Sequence, residues 1–82
     1  MAAPDPLRAL LERGEINERQ YRGLLYLREH GEIHRREYVQ VAGVSERTAA
    51  HDLAELVERS LLVPSGGRGR SAAYRLREHG PA

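Results

Sequence analysis

The tetrapeptide Ala42-Gly43-Val44-Ser45 constrains this chain more than any other stretch, because it joins two helix-periodic runs without room for a loop. Gly43 can end the first run in the left-handed conformation that glycine adopts cheaply. Val44 plugs inward at the corner, and Ser45 caps the open N–H groups of the second run. The first run, Arg35 to Ala42, turns Tyr38, Val41 and Ala42 inward. The second extends to about Arg59 and aligns Ala49, Leu53, Leu56 and Val57 on one face. Two helices joined so closely must cross and share a core.

Upstream, Asp5-Pro6 opens a short helix over about residues 6–13, with Leu7, Leu10 and Leu11 at helical spacing before Gly14. This narrow leucine stripe suits folding back on its own domain, with dimerisation as the alternative. A second start follows at Asn17, where Gln20 returns a capping-box contact and Ile16 staples onto Tyr21. Tyr21, Leu24, Leu25 and Leu27 form the inward stripe of this helix, Arg22, Arg28 and Glu29 face water, and Gly31 stops it. Ile33 is the apolar residue of a short extended link.

Past Ser60, which takes the stop position of the last helix, the periodicity changes. Leu61-Leu62-Val63 reads as a strand, Pro64 to Ser71 as a Gly- and Arg-rich turn, and Tyr74 and Leu76 alternate with Ala73, Arg75 and Arg77. The result is a β-hairpin with a basic tip. The pentapeptide Leu27-Arg28-Glu29-His30-Gly31 recurs at Leu76 to Gly80, but nothing around the copies matches, so no repeat is inferred.

At 82 residues the chain suits one small domain, and without cysteine it has neither disulfides nor thiolate metal sites. No apolar run approaches the ~20 residues that span a bilayer, and Met1 to Pro6 lacks a secretory pattern. A cytoplasmic protein with no membrane partner is expected. Residues 1–59 hold nine Arg against eleven acids, a balance of −2, whereas residues 60–82 hold four Arg and one Glu, a balance of +3. A basic end on a near-neutral body fits contact with a polyanion. All thirteen basic residues are Arg, which we read as GC-rich coding bias. Catalysis lacks its parts: His30 and His34 are separated by Gly31 and have no third metal ligand, and there is no phosphate loop or nucleophile elbow. Neither a cofactor nor a small-molecule ligand is expected.

The two crossed helices form a helix-turn-helix, and a basic hairpin follows directly. From Asn17 to Leu76 the chain resembles the winged helix-turn-helix superfamily, most closely the wings of DeoR-type repressors and the C-terminal modules of Fic-domain and helicase-like ATP-binding regulators. Gly43-Val44-Ser45-Glu46-Arg47-Thr48-Ala49, Asp52-Leu53, Leu56-Val57 and Leu61-Leu62-Val63 carry the resemblance. It implies a mainly α fold with a small β-hairpin: a winged helix-turn-helix with an extra N-terminal helix. It also implies DNA binding, with the third core helix in the major groove and the wing on the backbone or adjacent minor groove. Asp52 is implied to pair with a neighbouring Arg and orient it.

Helical geometry adds its own argument. With Ala49, Leu53 and Leu56 facing the core, Arg47, His51, Ala54 and Glu58 point away, flanked by Thr48 and Ala50. Arg47 can fork to guanine or phosphate, His51 can donate to a base or phosphate, and Thr48 can bond a phosphate or touch a thymine methyl. The N–H groups near Ser45 favour a phosphate. Arg68 and Arg70, among Gly66, Gly67 and Gly69, suit phosphates or a narrow minor groove. Arg35 and Arg36 open a helix where the dipole prefers acids, which points to a backbone-facing role. The plainer alternatives are an Arg47 ion pair with Glu46 or Glu12, an ordinary exposed His51, and a merely solvated hairpin. Glu46 suits the helix dipole, and Glu55 and Glu58 argue against DNA running along the whole helix.

Taken together, the expectation is a leader over residues 1–14, a winged domain over 15–77 and a frayed tail over 78–82. Its function would be that of a prokaryotic transcription-regulating module that binds double-stranded DNA, as a homodimer or within a larger regulator. The alternative is a protein-interaction or dimerisation module that binds no DNA, and a third reading is RNA binding through the wing.

Overall fold

The computed structural model describes residues 5–77, with the backbone alone at Arg70. The expected tail over 78–82 lies outside the described residues. Four helices form in chain order, α1 Pro6–Glu12, α2 Glu18–His30, α3 Arg35–Ala42 and α4 Glu46–Glu58, with strands β1 Ile33–His34, β2 Leu62–Gly66 and β3 Ala73–Leu76.

The helix ends obey local chemistry. Asp5 accepts a hydrogen bond from the Leu7 N–H at 3.0 Å, and Asn17 and Gln20 close a reciprocal capping box. Gly31 and Gly43 end α2 and α3 in the left-handed region at φ 85° and 65°. Ser45 caps α4 by accepting from the Thr48 N–H at 3.2 Å. After α4 Ser60 adopts φ 62°, a left-handed conformation that costs a side-chain-bearing residue energy.

The core forms where α2, α3 and α4 converge under the sheet. Leu24, Ile33, Tyr38, Ala49 and Leu53 are wholly enclosed, with Leu27, Leu56 and Leu62 beside them. Each such large apolar side chain contributes roughly 1.5–3 kcal/mol of transfer free energy. Two inward assignments shift. Gly23 and Gln20 are buried on α2 while Tyr21 and Leu25 are half-covered, and on α3 Val39 packs against the core cluster whereas Val41 is only half-buried. The buried face of α2 is shared between α3, where Gly23 meets Tyr38, and α4, where Gln20 bonds Asp52 and Glu55, which the apolar pattern alone does not report. Short α1 lies on α2, with Leu7 buried and Asp5 accepting from Arg28 Nη1 at 2.8 Å.

The sheet is fully antiparallel in the order β1-β3-β2 and is therefore more than a hairpin. The link at Ile33 pairs with β3, Ile33 opposite Tyr74 and His34 opposite Ala73. A second correction concerns Pro64, expected to begin the turn. It lies within β2 opposite Tyr74, and a bulge at Ser65 separates it from the Gly66–Ala73 pair. Proline is tolerated there because β2 is an edge strand, whose outer N–H groups have no partner to lose. The turn is correspondingly short and ends in a 3-10 turn over Gly69–Ser71. The architecture is a winged helix-turn-helix with an added N-terminal helix.

Candidate nucleic-acid interface

Helix α4 separates two chemistries by face. Ala49, Leu53 and Leu56 are inside, while Arg47, His51, Ala54 and Glu58 are exposed. Ser45 is exposed at the cap, and its Oγ also donates to Thr48 Oγ1 at 3.2 Å, so the two hydroxyls hold each other at the head of the helix. The side chain of His51 is 75% exposed, with Nε2 3.7 Å from Glu55 Oε2. Glu55 also faces Arg59 Nε at 4.0 Å and accepts from Gln20 Nε2 at 3.2 Å. Much of its charge is thus answered within the protein. Glu58, lower on the same stripe as Arg47, is exposed.

The two arginines that open α3 divide. Arg36 is exposed and borders a shallow groove of about 300 Å³ shared with Val39, Gln40 and Glu46. Arg35 is half-buried: its N–H donates to Ala72 O at 2.9 Å, and its Nε is enclosed with no hydrogen-bond partner among the described residues. The 3-10 turn between β2 and β3 packs against α3, the helix that Arg35 and Arg36 open.

In the wing, Arg68 is exposed, and its carbonyl accepts from Ser71 Oγ at 2.8 Å and from Ser71 N at 3.1 Å. The side chain of Arg70 lies outside the described residues. Gly67, at φ 74°, is needed as glycine, because a Cβ there would collide with the Ser71 carbonyl. Ser65 Oγ donates to Glu32 Oε2 at 2.9 Å and ties the outer end of β2 to the α2–β1 link.

Residues 13–77 match the family described as the C-terminal domain of DIP2311-like transcriptional regulators. The chain belongs to this family. No curated protein matches the chain. Membership of the DIP2311-like domain family sets this chain among the domains of transcriptional regulators. No helix among the described residues is long and apolar enough to cross a membrane.

The DIP2311-like domain also holds a polar network that its apolar pattern does not announce. Asp52, 1% exposed, sits on the inner flank of α4. Its Oδ2 accepts from Arg19 Nε at 2.8 Å and from Tyr38 OH at 3.0 Å, and its Oδ1 accepts from Arg19 Nη2 at 3.0 Å. The arginine partner expected for Asp52 therefore comes from α2, 33 residues earlier in the chain. Burial alone raises the Asp52 carboxyl, but the hydrogen bonds from Arg19 and Tyr38 outweigh it and hold the group below its ordinary range. Burial first, then the bond to Asp52, pushes the Tyr38 phenol up. Gln20 completes the network, its Nε2 donating to Asp52 O at 3.2 Å. The one signal in the sequence was Asp52 itself, an acid standing at a helix position between Ala49 and Leu56 that the apolar face must cover.

His30 and His34 are separately engaged. His30 stacks on Tyr26 with ring centroids 4.0 Å apart, while His34 Nδ1 lies 3.0 Å from Glu37 Oε1.

Proposed function

We propose that this domain binds double-stranded DNA as a winged helix in a prokaryotic, cytoplasmic transcriptional regulator. The first two turns of α4 enter the major groove, with Arg47, Thr48 and His51 at base edges and phosphates and the Ser45 end on a phosphate. Arg68 and Arg70 of the wing and Arg35 and Arg36 of α3 meet the sugar–phosphate backbone or the adjacent minor groove. Residues 15–77 form the binding unit, on which the helix Pro6–Glu12 packs through Leu7. It works as a homodimer or as one part of a larger regulator.

The observation that carries this reading is the division of α4. Arg47 and His51 stand exposed one turn apart, directly after the exposed Ser45 cap, on a helix whose opposite face is sealed in the core. Amide shift mapping with random duplex DNA at low salt tests it. Movement concentrated in residues 45–51 and the wing is expected. No movement overturns duplex binding and leaves the helix face to a protein partner. Preferential competition by RNA would move the function to RNA instead.

A further inference from the structure

We propose that Arg19 is a phosphate-binding residue, held ready by Asp52 on the flank of α4 opposite Arg36. The inference rests on the duplex-binding reading above and adds a contact to it.

Three observations lead there. Asp52 engages only one edge of the Arg19 guanidinium, the Nε and Nη2 edge. A guanidinium carries five donors in a planar fork, so the Nη1 side and the second Nη2 hydrogen are left for another acceptor. That side chain is 42% exposed although its carboxylate partner is 1% exposed, so the fork is anchored from within and open outward. Tyr38 OH, bonded to the same Asp52 oxygen, fixes the carboxylate in turn. Such support from behind is how a binding group is given a defined direction.

Position completes the argument. On a helix turning ~100° per residue, Glu55 lies about 80° to one side of Arg47 and Glu46 about 100° to the other. Glu55 and Asp52 face α2, where Gln20 and Arg19 bond to them, whereas Glu46 borders the groove shared with Arg36 and Gln40 of α3. Arg19 and Arg36 therefore bracket the exposed stripe of α4. A helix lying in a major groove has a phosphate strand on each side, and both flanks of α4 then carry a guanidinium. Because Asp52 balances its charge, Arg19 contributes directed hydrogen bonds more than net charge. Its signature is loss at one phosphate, not a steeper salt dependence.

The test uses a duplex selected from a random pool, with single phosphates replaced in turn by neutral methylphosphonates. Binding by the wild-type chain is compared with Arg19→Lys, which keeps the charge and loses the fork; circular dichroism verifies its fold. The variant is expected to bind about tenfold more weakly to the unmodified duplex, and one methylphosphonate position that weakens the wild type is expected to have no effect on it. Identical profiles for both proteins overturn the Arg19 contact and leave duplex binding standing. Absence of duplex binding by the wild type overturns both. If Arg19→Lys does not fold, the wild-type Arg19 Nε–H resonance decides the matter. It shifts on addition of the selected duplex under the proposal and stays in place otherwise.

Discussion

The ring of Tyr38 lies directly over Gly23: a Cβ built on Gly23 would fall 2.5 Å from Cε2 and 2.8 Å from Cδ2 of that ring. Glycine in the middle of α2 forgoes about 1 kcal/mol of helix propensity, and what it allows is this approach of α3. Tyr38 is immobilised by burial and by its bond to Asp52, so it cannot swing aside. Gly23→Ala is expected to destabilise the domain by about 1–3 kcal/mol in urea unfolding, despite the better propensity of alanine. A variant as stable as the wild type would show that the α2–α3 contact is looser than described.

The Asp52 network gives stability a pH dependence. Its carboxyl lies below the ordinary value of 3.8 in the folded chain, so as pH falls protons bind the unfolded chain first. The stabilisation is full above the ordinary value and is lost as pH drops through the lowered one. Asp52→Asn is expected to cost about 2 kcal/mol or more at neutral pH, because it leaves Arg19 without its charged partner. It should also flatten the acid limb of a plot of unfolding free energy against pH. The limb keeps a residual slope from Glu37, lowered chiefly by the His34 N–H, and from Asp5, lowered chiefly by Arg28. An unchanged acid limb in Asp52→Asn would remove Asp52 as its source.

Ser60 holds a left-handed conformation that glycine would hold with less strain. Because its side chain lies at an exposed helix stop, Ser60→Gly removes little packing. The substitution is expected to raise stability by about 0.5–1 kcal/mol, read as a Tm increase of a few degrees in a thermal melt. A lowered Tm would mean that the Ser60 side chain supports the turn.

Duplex binding through Arg35, Arg36, Arg47, Arg68 and Arg70 is expected to show a slope of log K against log salt of about −4 to −5, measured by fluorescence anisotropy. Replacing Arg68 and Arg70 by Ala should reduce that slope by about 2 and weaken binding to all sequences alike, whereas Arg47→Ala should also relax base preference. A flat salt response removes the electrostatic mechanism. Equal loss of base preference from both changes contradicts the division between wing and helix.

The parts of this protein that the sequence determines by itself are those whose chemistry closes within a few residues. Asp5, Asn17 with Gln20, Gly31, Gly43, Ser45 and Ser60 all take their predicted cap or stop positions, since each satisfies backbone groups of its own turn. The exposed stripe of α4 was legible for the same reason, because helical spacing alone decides which residues oppose Ala49, Leu53 and Leu56. Tertiary structure decided what depends on distant chain segments. It paired Ile33 with Tyr74, let Pro64 serve as an edge-strand residue, buried Gln20 and brought Arg19 onto Asp52. A polar residue carries no periodic mark of its future partner, since a buried charge becomes tolerable only when packing supplies its counter-charge and hydrogen bonds.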